Sequence, residues 1–244
     1  MLRVTAYPVR VLLRDGNSRG VLRADERPMS RCFLASFHPL CSTSVGRAAI
    51  HRHRLLPFID GSCRREPDLE HDWPSISALC RAGKFAPRLQ VGDRVAFVTA
   101  RARYRHGAPW MLVALLRVAR RFETHEEAAS WYAGLGLRLP SNCMVPGNGP
   151  VPLTRTKGAP RDLRDPERAP ERIIRVWDAR YRERARKWPV MLACEKLMVE
   201  LHEPARIEQH DWLRWCGRVP STQNPPEISD ELWDHLVTAT RRAA

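Results

Sequence analysis

The sequence has no run of about 18 apolar residues, which excludes a membrane-spanning helix. It has no CxxC pair and an odd seven cysteines, which argues against a disulfide framework or a zinc knuckle. Neither GxGxxG nor GxxxxGKS/T occurs, so dinucleotide-fingerprint and P-loop chemistry drop out. There is no internal repeat and no metal-ligand cluster, and neither a metal nor another cofactor is expected. The first residues, MLRVTAYPVRVLLRDG, lack both a continuous apolar stretch of signal-peptide length and a small-residue cleavage site. The expectation is a soluble, cytoplasmic protein with no membrane contact. Lysine is scarce: four of the 41 basic residues are Lys and the other 37 are Arg.

What is present points to a packed globule. The 244 residues are 43% hydrophobic and include eight Trp, enough for a sizeable core. Cys80, Cys194 and Cys216 sit among apolar residues and read as small core hydrophobes. The net charge of +14 favours an anionic partner. It is unevenly spread, with +7 in residues 1–54, +6 in 55–158 and +1 in 159–244.

Residues 1–54 mix Arg, Ser and scattered hydrophobes without a sustained period of 2 or 3.6. They are expected to be a poorly ordered basic extension or an over-extended start, with one α+β domain over 55–244. RLLPFI reads as a strand and DWPSISALCRAG as a short helix. Gly92-Asp93 reads as a turn into a strand, and WMLVALLRVARRF as its antiparallel partner, with RHGAP as the hairpin turn. THEEAASWYAGLG carries a T-x-x-E capping box and a glycine stop. Residues 146–169 are Pro-rich and irregular.

APERIIRVWDARYRERARKW predicts an amphipathic helix, with Glu171–Arg175 and Glu183–Lys187 as supporting pairs. PVMLACEKLMVEL reads as a core strand, and a C-terminal helix starts at a Ser229 cap. The predicted fold is α+β: a small curved or closed antiparallel sheet, peripheral helices and a helical C-terminal part.

LQVGDRVAFVT, the following strand and the helix THEEAASWY together resemble the PUA-like superfamily, which includes the ASCH, EVE and YTH domains, over roughly Leu55 to Leu201. The loops DGSCRREPD and LPSNCMVPGN resemble a bacterial or phage subfamily associated with nucleotide modification. The resemblance implies a pseudo-barrel that takes nucleic acid, often one flipped or unpaired base, in a rim pocket. It also implies work alongside modification or defence machinery.

The residues supply their own case for a nucleic-acid partner, DNA or RNA. Arg101, Arg103 and Arg105 recur at period 2 and share one strand face. They form either a solvated hairpin tip or a phosphate-tracking strip, with Arg117 paired near the arginine end. Lys84 and Arg88 join the cationic set, and Trp73 is a candidate stacking surface. Three readings of FIDGSCRREPDLE stay open. It is a turn braced by ion pairs, a binding loop in which Asp60 and Ser62 meet a base while Arg64 and Arg65 reach phosphate, or a catalytic loop. The catalytic reading uses a Cys63 thiolate, with His51, His53 or His71 as base, or a Glu66 acid/base with Asp68. Asn142 carries both a donor and an acceptor and suits a base edge.

Overall fold

CFLASF, Cys32–Phe37, forms strand β1, and every one of its side chains is buried. In a computed structural model, residues 30–99, 109–165, 167–221 and 224–241 are described. Helix α1 follows at Ser44–His53, with the Thr43 side chain accepting from the Gly46 N–H at its start. The boundary expected at residue 55 therefore falls inside the folded unit. Periodicity could not reveal β1, because a strand covered on both faces has no polar side to alternate with.

The remaining strands are β2 (Ser75–Ser77), β3 (Arg94–Thr99), β4 (Trp110–Phe122), β5 (Met191–Val199), β6 (Ala205–Ile207) and β7 (Glu227–Ile228). They make one sheet in the order β2-β5-β4-β3-β1-β7, with β6 paired to the first residues of β4. The expected α+β class holds. The sheet is mixed, because β1 runs parallel to β3, and it does not close on itself.

Alternation along β1 and β3 sends side chains to two separate cores. Phe33, Ala35, Val95 and Phe97 pack with Leu69, Ile76 and Phe85 on one face. Cys32, Leu34, Ala96 and Val98 pack on the other face against Trp212, Trp233 and Leu236. Those last residues come from helices α4 (Gln209–Cys216) and α5 (Asp230–Arg241). Helix α2 (His125–Gly134) covers the far ends of β4 and β5.

Several expected elements stand. The Gly92 turn has φ +96 and leads into β3, and β4 pairs with it antiparallel. Thr124 accepts from the Glu127 N–H, while the Glu127 carboxylate reaches back to the Glu123 N–H. Ser229 accepts from the Leu232 N–H at the start of α5. Helix α3 spans Pro170–Lys187 and buries Ile173, Trp177 and Tyr181. Its Arg182–Asp178 pair takes the place of the expected Glu171–Arg175 and Glu183–Lys187 pairs, which do not form.

Other expectations change. RLLPFI forms no strand: the Pro57 and Ile59 carbonyls accept single bonds from Cys41 and Leu40 instead of a ladder. DWPSISALCRAG contains β2 and, in place of the expected helix, a single 3-10 turn at Arg81–Gly83. Pairing with Met191–Ala193 of β5 puts Ser75 and Ser77 toward Asn142 and Glu66, and Ile76 into the sheet core. Arg117 sits opposite Arg94, the first residue of β3, and pairs with Glu195. Cys194 is buried as expected, but Cys216 is exposed.

Candidate functional site

The loop Phe58–Glu70 lies inside the protein. Every residue from Ile59 to Leu69 is buried, and Arg64 is 0% exposed. Its guanidinium donates to Asp178 Oδ1 at 2.6 Å, to the Ser141 carbonyl at 2.9 Å and to the Asn148 carbonyl at 2.9 Å. Arg65 bonds the Asp60 carbonyl, the Arg155 carbonyl and the Glu70 carboxylate. Asp60 accepts from the Ser62 N–H at 2.8 Å and from the Ser62 hydroxyl. Asp68 accepts from the N–H and hydroxyl of Ser141, and Asn142 donates to Glu66 at 2.9 Å. The two loops singled out in the sequence thus meet, but as an interlocked polar core rather than as a pocket.

That placement reassigns most expected contacts. Arg64, Arg65, Asp60 and Asn142 spend their polar groups on the protein itself, so the roles drawn for them at phosphate or base edge give way to structural ones. Ser62 lines a cleft, and the other residues of the loop do not line that one. Trp73 is half-buried, edge-on to Trp131, and its carbonyl takes the Tyr132 hydroxyl. Lys84 and Arg88 are exposed, with Arg88 over the Phe33 ring and reaching the Pro225 carbonyl. Neither lines the cleft that Ser62 lines. Arg101, Arg103 and Arg105 lie outside the described residues.

Cys63 and His71 do not form the nucleophile–base pair that the catalytic reading uses. Burial pushes the Cys63 thiol well above its ordinary range, outweighing the opposing effect of Arg64, so the nucleophilic thiolate is suppressed. His71 accepts from the Trp73 N–H and donates to the Arg138 carbonyl, which leaves it no free nitrogen for Cys63. Glu66 is buried and does not line the cleft that Ser62 lines. Complete burial raises its pKa to about 8, with bonds from Ser77 and Asn142 offsetting part of the effect.

Because the folded value of Glu66 lies above the unfolded one, the unfolded chain releases this proton first as pH rises. Stability is therefore expected to fall between about pH 4.5 and 8, by up to about 1.4 kcal/mol per unit, and to level off above that. Urea denaturation of wild type and Glu66→Gln across this range checks the slope. The variant should lose it, and equal slopes would remove Glu66 as the cause.

The charge that faces solvent gathers elsewhere. Residues 153–187 hold twelve Lys/Arg against six Asp/Glu, whereas 188–244 hold six against nine. The near-balance of the C-terminal third hid this segregation. Arg172, Arg175, Arg182 and Arg186 are exposed. At 100° per residue they fall within one 80° sector of α3, opposite the buried Ile173–Trp177–Tyr181 stripe. Arg182 is paired with Asp178; among the described residues, Arg172, Arg175 and Arg186 make no ion pair.

On the flank of α3 lies a cleft of about 370 Å³. Lys157, Arg164, Arg180 and Arg184 line it, with Thr43, Ser62, Trp177 and Tyr181. Arg180 holds Asp162 at 2.5 Å, Arg184 donates to the Leu79 carbonyl, and Arg164 to the Ala159 carbonyl. Arg184 also lies over the Tyr181 ring, so that ring face is taken. Another cleft, of about 550 Å³ between β6, α4 and α5, is lined by Arg206 and Arg214. Both are neutralised, by Glu208 and Asp211.

Sequence reasoning missed the cleft, because its cations come from an irregular loop and from the edge of a helix. The available signal was Arg180 and Arg184 at i,i+4 flanking the apolar stripe. No family model, curated protein or solved structure matches the chain.

Proposed function

We propose that the protein binds nucleic acid through the outward face of α3. The observation that carries this reading is the exposed row Arg172, Arg175, Arg182 and Arg186, three of whose four members have no carboxylate partner among the described residues. Guanidinium matches phosphate with a planar fork, which suits a row of arginines to a polyphosphate backbone. The fourteen steps of helix from Arg172 to Arg186 span ~21 Å, against one charge per ~1.7 Å of duplex axis, so the row can meet several phosphates at once. The contact moves from the buried 58–70 loop to this helix. Base preference is left to surfaces beyond it, since phosphate contacts position a strand without reading sequence.

Arg172→Glu/Arg175→Glu/Arg186→Glu removes the row while leaving the buried stripe of α3 intact. Fluorescence anisotropy with labelled single- and double-stranded probes over a salt series reads the result. Wild type is expected to bind both, with affinity falling steeply as salt rises. The variant should lose most of its affinity and about one unit of log–log slope per contact removed. A variant that binds like wild type would move the interface off α3.

A further inference from the structure

The cleft beside α3 has a geometry that an outward phosphate-tracking face does not need. We propose that it is a pocket for a terminal phosphate, a phosphomonoester carried by a free nucleotide or by the end of a strand. The proposal deepens the nucleic-acid reading and rests on it only where the strand end is the source.

Four cationic side chains, Lys157, Arg164, Arg180 and Arg184, line this one small cleft. Lys157 makes no ion pair among the described residues, and its stem is laid directly on Gly61. A Cβ at Gly61 would stand 2.8 Å from the Lys157 Cβ and Cδ, so the absence of a side chain there is what lets the lysine enter. Gly61 holds the same segment through its carbonyl, which accepts from the Lys157 N–H at 2.8 Å. The buried loop thus sets the position of Lys157 and presents Ser62 to the cleft. At the rim, Thr43 donates its hydroxyl to the Lys157 carbonyl and caps α1, whose N-terminal partial positive charge adds to the cations.

Among the described residues, the carboxylate bound to a lining cation is Asp162 on Arg180; it is more than half exposed, so an incoming phosphate can take its place. Behind the floor, Asp60 accepts from the Ser62 N–H and hydroxyl, and burial raises the Glu66 pKa to about 8.

Shape and charge favour an end over a continuing strand. Ser62, Trp177 and Tyr181, exposed by 4%, 5% and 6%, close the floor. At about 370 Å³ the cleft lies near the lower bound of roughly 300–1,000 Å³ for ligand sites, room for one nucleotide unit. An internal diester brings one negative charge and must leave as well as enter. A monoester brings about two near neutral pH and more free oxygens for the four cations.

Calorimetry with a nucleoside 5′-monophosphate and its nucleoside, beside anisotropy with 5′-phosphorylated and 5′-hydroxyl forms of one oligonucleotide, tests this. The monophosphate should bind and the nucleoside should not. If the strand end is the source, the phosphorylated oligonucleotide should also bind about tenfold tighter than its hydroxyl form, as charge-assisted contacts are lost without the phosphate. Lys157→Gln/Arg180→Gln should erase these differences while changing hydroxyl-oligonucleotide affinity less than about threefold. Gly61→Ala, which removes no charge, should reduce the phosphate preference in the same direction, and thermal melts confirm that the variants stay folded. Monophosphate binding without a strand-end preference would assign the pocket to free nucleotides and supports it. Monophosphate binding with no oligonucleotide binding at all would keep the pocket and sink the α3 reading. Equal affinity for both oligonucleotides together with no monophosphate binding would overturn the pocket and leave α3 standing.

Discussion

A chain that begins at residue 55 is expected not to fold. The deletion removes β1, which lies between β3 and β7 and pairs with β3 over six residues, Cys32 to Phe37. Phe33, Leu34 and Ala35 are all 0% exposed and contribute to the cores on both faces of the sheet. Burying a Phe or Leu side chain stabilises by about 1.5–3 kcal/mol, so Phe33, Leu34 and Phe37 together account for roughly 4–9 kcal/mol. A domain's whole stability is of order 5–15 kcal/mol. The cut would also leave β3 with an unpaired apolar edge, an aggregation hazard. Circular dichroism and a urea melt of the truncated chain check this. A cooperative transition close to that of the full chain would show that β1 is dispensable.

Arg64→Ala is expected to cost about 3–5 kcal/mol, the usual penalty for breaking a buried charge network from one side. Arg64 is completely enclosed, and its partners are Asp178 and the carbonyls of Ser141, Asn148 and Gly149. Truncation leaves three acceptors without their donor and a cavity where the guanidinium stood. Asp178 keeps Arg182, which sets the loss below that of a fully orphaned carboxylate. Arg64→Lys should rescue little, since one ammonium cannot span acceptors spread around a planar fork. Urea denaturation supplies the number, and a loss under about 1 kcal/mol would mean the network is not holding the loops together. Nucleic-acid affinity of the folded fraction should be unchanged, which separates this residue from the α3 row.

These two residue sets mark where the sequence was legible and where it was not. The hairpin β3–β4, the capped helix α2, the stripe of α3 and the Ser229 cap each write a local rule into adjacent residues, and each was readable. β1 carries no such rule, because CFLASF pairs along both edges with strands about 60 and 195 residues away and is covered on both faces. DWPSIS forms a strand because β5 claims it, which no local helix signal could report. The charged loop 58–70 misled for a related reason. Charge clusters usually face water, and here Asp178, Ser141 and Asn142, all distant in sequence, meet the charges inside, with Ser77. For the functional site, counting charge over a whole third of the chain averaged a basic helix with an acidic C-terminal region. Counting by helix face exposes it.

Hydrogen–deuterium exchange of the full chain, with and without a short oligonucleotide at low salt, most directly tests the claim that α3 is the interface. Slower exchange confined to residues 170–187, and to the neighbouring 156–164 segment when the oligonucleotide carries a 5′-phosphate, is the predicted result. Protection centred instead on β6, α4 and α5, or none while the probe is bound, would contradict it.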